Sequence, residues 1–421
     1  MLTLEHELRI CIVAESASFK FGGESSLPLH YFLRLRARRV KVWLIVHSRT
    51  RDELESLFPA DREFILYISD RWYHRVIWRI GSLLPRRVAE ATCGILMVLI
   101  NQRIQVGMAR KLIREHNVNV VHQPIPVSPK APSFIYGLGV PVVIGPMNGG
   151  MEYPVSFRQE ESLFTRATVA LTRASANIVN AIIRGKVNAS VLMVANERTR
   201  HALPRRAKGQ VVHLPENGVD LSMWTPAAVG SADAEPARFI FVGRLVDWKR
   251  LDFVLQALQD VPDARLDVIG DGPMRSAWLD LAARLGISER VSWLGWLSQP
   301  ECAKHLQGAA ALVLPSIYEC GGAVVLEAMA CGIPVVATDW GGPSEYLDDT
   351  CGILIDPSSS KTIIEGFVQA QCRLIGDAEL RVKLGKAGRR RVELNYDWSK
   401  KIDRILEIYV DCKKSSAPSA C

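Results

Sequence analysis

Short runs of β-branched and aliphatic residues, each followed by a stretch long enough for a helix, recur along this chain and constrain its fold more than any other feature. In the first half they are ICIVA (10–14), VWLIV (42–46), VNVVH (118–122) and PVVIG (141–145). The second half repeats the rhythm with RFIFVG (238–243), RLDVIG (265–270), AALVLP (310–315) and IPVVAT (333–338), separated by helix-length segments such as 274–285. Runs that are apolar on both faces read as buried parallel strands, and strands alternating with helices imply an α/β chain. Between the halves, SMWTPAAVGSADAEPA (222–237) is rich in Ala, Pro, Gly and Ser and is the best linker candidate. The expectation is therefore two doubly wound domains. At 421 residues the chain is long enough for two to three domains with large cores.

Composition excludes several classes. Nine cysteines form no CxxC and no Cys/His ligand spacing, which favours reduced thiols over disulfides or structural zinc. MLTLEHELRICIVAES lacks a basic start and a small-residue cleavage site, so no secretory signal is expected. GILMVLI (94–100) falls far short of the roughly 20 residues that a spanning helix requires, and only the KKSSAPSAC tail should fray. Charge is divided unevenly: residues 1–216 carry +13 and residues 217–421 carry −5, so the first half is suited to an anionic partner such as a membrane surface or nucleic acid.

In open parallel sheets, ligands bind beyond the carboxyl ends of the strands, so the loops there are the first place to look for chemistry. FVGRLVDWKR (241–250) turns on Gly243 and presents Arg244 and Lys249, two cations able to neutralise a diphosphate, although a solvated loop would carry the same charges. VIGDGP (268–273) puts Gly270 where backbone could approach a ligand, but it is not GxGxxG. LPSIYECGGAVVLEAMACGIPVVATDWGGPSEYL (314–347) is the most informative stretch. Glu319 precedes Gly321 and Gly322 at a helix start, whose free amides suit a phosphate, and Glu327 follows in an otherwise apolar helix. Either carboxylate could accept hydrogen bonds from sugar hydroxyls, or serve as an ordinary helix charge.

ECGGAVVLE resembles the Glu-x7-Glu signature of the retaining glycosyltransferases of family 4. FGGESS (21–26), ENGVD (216–220), FVGRLVDWKR, VIGDGP and the Glu-x7-Glu segment occur in that family's order. The resemblance implies GT-B, two Rossmann-like doubly wound domains facing across a cleft. It implies an acceptor domain over 1–215, a linker over 216–237, a nucleotide-sugar donor domain over 238–395, and a C-terminal helix over 396–421 returning to the first domain. By the same resemblance Arg244 and Lys249 hold the donor diphosphate, Glu327 the ribose and Glu319 the donor sugar. Gly22 and Gly23, with Gly243, Gly270, Gly321 and Gly322, let backbone approach the donor, and His122 stands near the transferred sugar. The family's usual Glu-Gly-Phe-Gly is Glu319, Cys320, Gly321 and Gly322 here, which leaves the donor sugar open. Cys320 has no local histidine to make it a thiolate and is not assigned as a nucleophile.

The implied reaction moves a sugar from a UDP- or GDP-linked donor to a hydroxyl acceptor, which could be a lipid-linked or cell-envelope glycan, with retention. The nucleotide sugar is then a substrate and no cofactor is expected. No Asp-x-Asp triplet occurs, so metal independence is expected as well. A dinucleotide-dependent oxidoreductase is the rival reading, and it lacks GxGxxG after the first strand. A nucleic-acid-binding protein is a third, without a recognisable module. Glycogen phosphorylase shares GT-B, but its cofactor-lysine segment has no match.

One further segment bears on location. RWYHRVIWRIGSLLPRR (71–87) has five arginines, no acid, two tryptophans and a tyrosine, with Trp72, Val76, Ile80 and Leu83 at helical spacing. Such a segment suits the interface of an anionic membrane, while amphipathic helices more commonly pack inward. A basic helix expected over 163–189 would extend that surface through Arg166, Arg173, Arg184 and Lys186. The expected setting is a cytoplasmic chain lying peripherally on a membrane.

Overall fold

A computed structural model describes residues 7–20, 23–84, 86–160, 175–227 and 237–416. Each apolar run singled out above is a strand in it. β1 is Arg9–Val13, β2 Lys41–His47, β3 Ile65–Ile68, β4 Val120–Gln123, β5 Val142–Met147, β6 Val191–Val194 and β7 Gln210–His213. These form one sheet in the order β3-β2-β1-β4-β5-β6-β7, with every neighbouring pair parallel. β8 (Ala237–Val242), β9 (Ala264–Ile269), β10 (Val291–Gly295), β11 (Ala311–Leu314), β12 (Val335–Thr338) and β13 (Ile353–Ile355) form a second parallel sheet, ordered β10-β9-β8-β11-β12-β13. Central strands such as β4, β11 and β12 are buried along their whole length, as helices on both faces require.

Both orders reverse direction once, between β1 and β4 and between β8 and β11. At such a switch point the connections leave to opposite sides and open a crevice at the carboxyl ends of the strands. In each sheet that crevice is the place for a ligand.

The chain divides into two compact units. One takes the chain up to Gly150, then up to Glu216, and resumes at Lys401; the other takes Met151–Glu160 and Asn217–Lys400. Inside the span expected to be wholly N-terminal, residues 151–160 thus count with the second unit. Tyr153 packs on Tyr318 with ring centroids 4.9 Å apart, and the Trp340 indole donates to the Glu152 carbonyl at 2.8 Å. Of the expected linker, 228–236 lie outside the described residues.

The helix expected over 163–189 is described only from residue 175 on, so Arg166 and Arg173 lie outside the described residues, and it is not continuous: it breaks at 183–184, where Arg184 bridges Ser133, before the short helix Gly185–Asn188. Lys186 requires a correction. It is buried rather than part of a basic surface, its amine donates to the Ser128 carbonyl, and burial lowers its pKa to about 7. Helix Trp72–Ser82 forms where the arginine- and tryptophan-rich segment predicts one. His74 is its buried residue, while Trp72 and Trp78 are each 70% exposed and Leu83 just beyond is 85% exposed. Among the described residues, no helix is long and apolar enough to cross a membrane.

Candidate functional site

The second unit gathers most of the expected residues at its switch point. β8 ends at Val242, and the chain turns through Gly243 into an exposed Arg244 and a short helical turn, Asp247–Lys249. β11 ends at Leu314, and its loop runs through Glu319 to the helix Ala323–Ala330. The two loops are tied by the Ile317 amide, which donates to the Trp248 carbonyl at 3.0 Å. Across them the Lys249 amine bonds the Glu319 carboxylate, with both side chains largely sheltered. Residues 70 positions apart thus form one ion pair beside the strand ends.

Glycine chemistry explains the close packing of these loops. The Gly342 amide donates to the Glu319 carbonyl at 2.8 Å, and a Cβ at Gly342 would lie 2.0 Å from the Gly321 carbonyl oxygen. Gly322, at φ +76, sits ahead of the helix Ala323–Ala330, whose first amides have no side-chain cap. A Cβ at Gly270 would lie 2.0 Å from the Gly243 carbonyl oxygen, so the neighbouring loop packs close against its backbone. That contact is structural, and it fixes the turn that carries Arg244.

Glu327 lies one turn into the helix, partly buried among Val325, Leu326, Ala328 and Met329. Desolvation in this apolar setting raises its pKa to about 7. Its backbone carbonyl accepts from the Cys331 amide at 3.0 Å. Its carboxyl, by contrast, has no hydrogen-bond partner among the described residues and is open enough to accept from water or a ligand.

The first unit treats its expected residues differently. Gly22 lies outside the described residues. Gly23 opens the helix Gly23–Ala37, and a Cβ there would meet nothing within 4 Å, so its backbone faces open space. The neighbouring Glu24 accepts from the Val127 amide at 3.0 Å. His122 is fully buried in β4, with Nε2 2.6 Å from the Gly145 carbonyl oxygen and Nδ1 2.7 Å from the Tyr409 hydroxyl. A carbonyl only accepts, so Nε2 carries the proton and Nδ1 accepts from Tyr409. Burial lowers the His122 pKa to about 4 and keeps it neutral. Through these two bonds His122 ties β4 and β5 to the helix Trp398–Ser416.

Sequence reasoning missed the pairing of Tyr153 with Tyr318, the residue before Glu319; it is long-range and leaves no local signal. One grouping among the described residues has metal-ligand types within reach of one another: His47, Asp70 and His74. His74 Nδ1 accepts from the Arg71 amide at 2.9 Å, and its Nε2 bonds the Asn101 Oδ1 at 2.9 Å. Both nitrogens of His74 are therefore in use, and two ligand atoms remain.

Residues 226–391 match the family model described as glycosyl transferases group 1. A GDP-mannose-dependent monoacylated alpha-(1-6)-phosphatidylinositol monomannoside mannosyltransferase of Corynebacterium glutamicum is 30% identical over 216 residues, 47% of this chain and 55% of the relative. The chain spans about half the length of the curated relatives it matches. Among solved structures, a sucrose-phosphate synthase of Thermosynechococcus elongatus superposes with a TM-score of 0.68 at 19% identity, covering 97% of this chain and 100% of that one. HepE of Anabaena, in complex with UDP, does so with a TM-score of 0.66 at 16% identity, covering 96% and 100%. Together with the two doubly wound sheets, these likenesses give the chain the GT-B fold and make its second unit similar to the glycosyl transferases of group 1.

Proposed function

We propose that this chain is a glycosyltransferase that moves a sugar from a nucleoside diphosphate donor to a hydroxyl acceptor, with retention and without a resident metal. The observation that carries the reading is the grouping of Lys249, Glu319 and the uncapped start of helix Ala323–Ala330, with unpartnered Glu327 one turn further in. Departure of the nucleoside diphosphate leaves charge on its phosphates. Lys249, Arg244 and the amides around Gly322 are cationic or hydrogen-bond-donating groups placed to receive it, which is catalysis aimed at where charge develops. Glu319 accepts from hydroxyls of the donor sugar once Lys249 turns to the phosphates, and Glu327 accepts from the ribose diol. A relative named for GDP-mannose and a neighbour solved with UDP support a nucleoside diphosphate donor. An oxidoreductase is not favoured, because the turn after β1 lacks GxGxxG.

A panel of UDP- and GDP-linked sugars, screened in excess EDTA for thermal stabilisation and for sugar release, tests this directly. One donor is expected to stabilise the protein and be consumed. Stabilisation by NAD(P) with no response to any nucleotide sugar would overturn the assignment. Activity lost on chelation and restored by magnesium or manganese would overturn metal independence.

Glu327 gives the site a pH dependence whose sign is fixed. Its pKa of about 7 means that the folded protein holds the proton well above the usual carboxylate range. Ribose hydroxyls donate to the ionised form, so nucleotide affinity should rise by about tenfold between pH 6 and pH 8. In Glu327→Gln that rise should flatten and binding should weaken throughout. An unchanged profile by calorimetry would remove the ribose role.

We also propose that helix Trp72–Ser82 rests on an anionic membrane surface, since its tryptophans face solvent beside Arg71, Arg75 and Arg79.

A further inference from the structure

The first unit contains an apolar cavity of about 580 Å³ between the helices Trp72–Ser82 and Ile95–His116. Ile77, Trp78, Leu84, Met97 and Val98 line its walls, and Glu15 with Arg49 forms a polar end. We infer that this cavity binds an amphiphile, with its hydrocarbon chain between the two helices and a hydroxyl-bearing head against Glu15 and Arg49.

The polar end is built, not incidental. Glu15 lies two residues beyond β1 and Arg49 two beyond β2, so both stand at the carboxyl edge of the sheet. Arg49 bonds Glu15 Oε1 at 3.2 Å, and the Asn101 amide donates to both Glu15 oxygens at 3.0 and 3.1 Å. Behind Asn101 stands buried His74, whose Nε2 donates to the Asn101 Oδ1. This relay holds the carboxylate in one orientation, at a depth where burial raises its pKa.

The pair carries no net charge and presents an acceptor beside a forked donor. A hydroxyl, which donates and accepts, satisfies both, whereas a carboxylate or ammonium head meets one like charge. The apolar walls suit an alkyl chain, the volume is in the range of small-molecule sites, and unbranched Met97 adapts to an irregular occupant. Trp78 and Leu84 line the cavity and are also 70% and 37% exposed, so apolar surface runs from it to solvent, a path for a chain entering from a lipid layer. That the amphiphile is also the sugar acceptor rests on the transferase reading; its binding does not.

The probes are n-alkyl glucosides of six, eight and ten carbons, each below its micelle concentration, titrated into the full chain without nucleotide. Affinity is expected to rise about fourfold per methylene. Val98→Trp, which fills the cavity, should abolish binding. Arg49→Ala should weaken it by about tenfold while keeping the chain-length trend. Should Val98→Trp fail to fold, ten-carbon glucoside brominated along its chain gives a second readout: it should quench fluorescence in the wild type and lose that quenching in Trp78→Phe. Affinity independent of chain length, or binding undiminished in a folded Val98→Trp, would overturn the assignment. Nucleotide stabilisation measured in parallel separates this failure from failure of the transferase reading.

Discussion

Replacing Lys249 by alanine is expected to lower turnover by about 10²- to 10³-fold, the loss associated with removing one donor aimed at developing charge. The alternative is that the Lys249 and Glu319 pair merely braces two loops. The two roles separate on comparison of the single variants. If the pair is a brace, Lys249→Ala and Glu319→Gln lose similar melting temperature and leave nucleoside diphosphate affinity alone. If Lys249 serves the phosphates, Lys249→Ala weakens that affinity, while Glu319→Gln releases the amine, so the nucleotide binds as well or better even though transfer falls. Arg244→Ala should lose turnover with less effect on folding, because Arg244 is exposed. Wild-type rates in folded Lys249→Ala and Arg244→Ala would remove both from the reaction.

The parts of this arrangement that sequence made legible are those encoded locally. VWLIV and IPVVAT are short runs apolar on both faces and rich in β-branched residues, as central parallel strands are, and both are strands. The edges were harder to read. β7 is exposed at both ends and β13 is three residues long, so neither has a sustained pattern. β6 is an apolar run, VLMV, fully buried, but it follows directly on the segment read as one long helix. At the site, the Glu-x7-Glu spacing could be read along one helix, whereas the partners of each side chain could not. Nothing local to Gly270 reveals the Gly243 carbonyl packed against it. The placement of His122 at a strand end is local, while Tyr409, which bonds its second nitrogen, lies 287 residues away.

The membrane reading makes the other large prediction. Trp72, Val76, Ile80 and Leu83 share one helical stripe, and a stripe that packed inward would be covered. Instead Trp72 is 70%, Ile80 51% and Leu83 85% exposed, while His74 is the side chain that anchors the helix. Arg71, Arg75 and Arg79 are exposed alongside, with no acid on the helix to offset them. Each basic charge near an anionic surface is worth about fivefold in partitioning. Converting all three arginines to glutamate changes the charge by six units, on the order of 10⁴ in total. The triple variant should therefore fail to sediment with vesicles of phosphatidylcholine and phosphatidylserine at low salt, where the wild type should bind. High salt should release the wild type in part, since the Debye length shortens while the tryptophan contribution is left standing. Trp72→Ala with Trp78→Ala should invert that pattern, leaving weak binding that salt removes entirely. Absence of wild-type binding at low salt, or full binding by the triple variant, would end the membrane proposal and leave the chemistry of Lys249, Glu319 and Glu327 to be judged by its own tests.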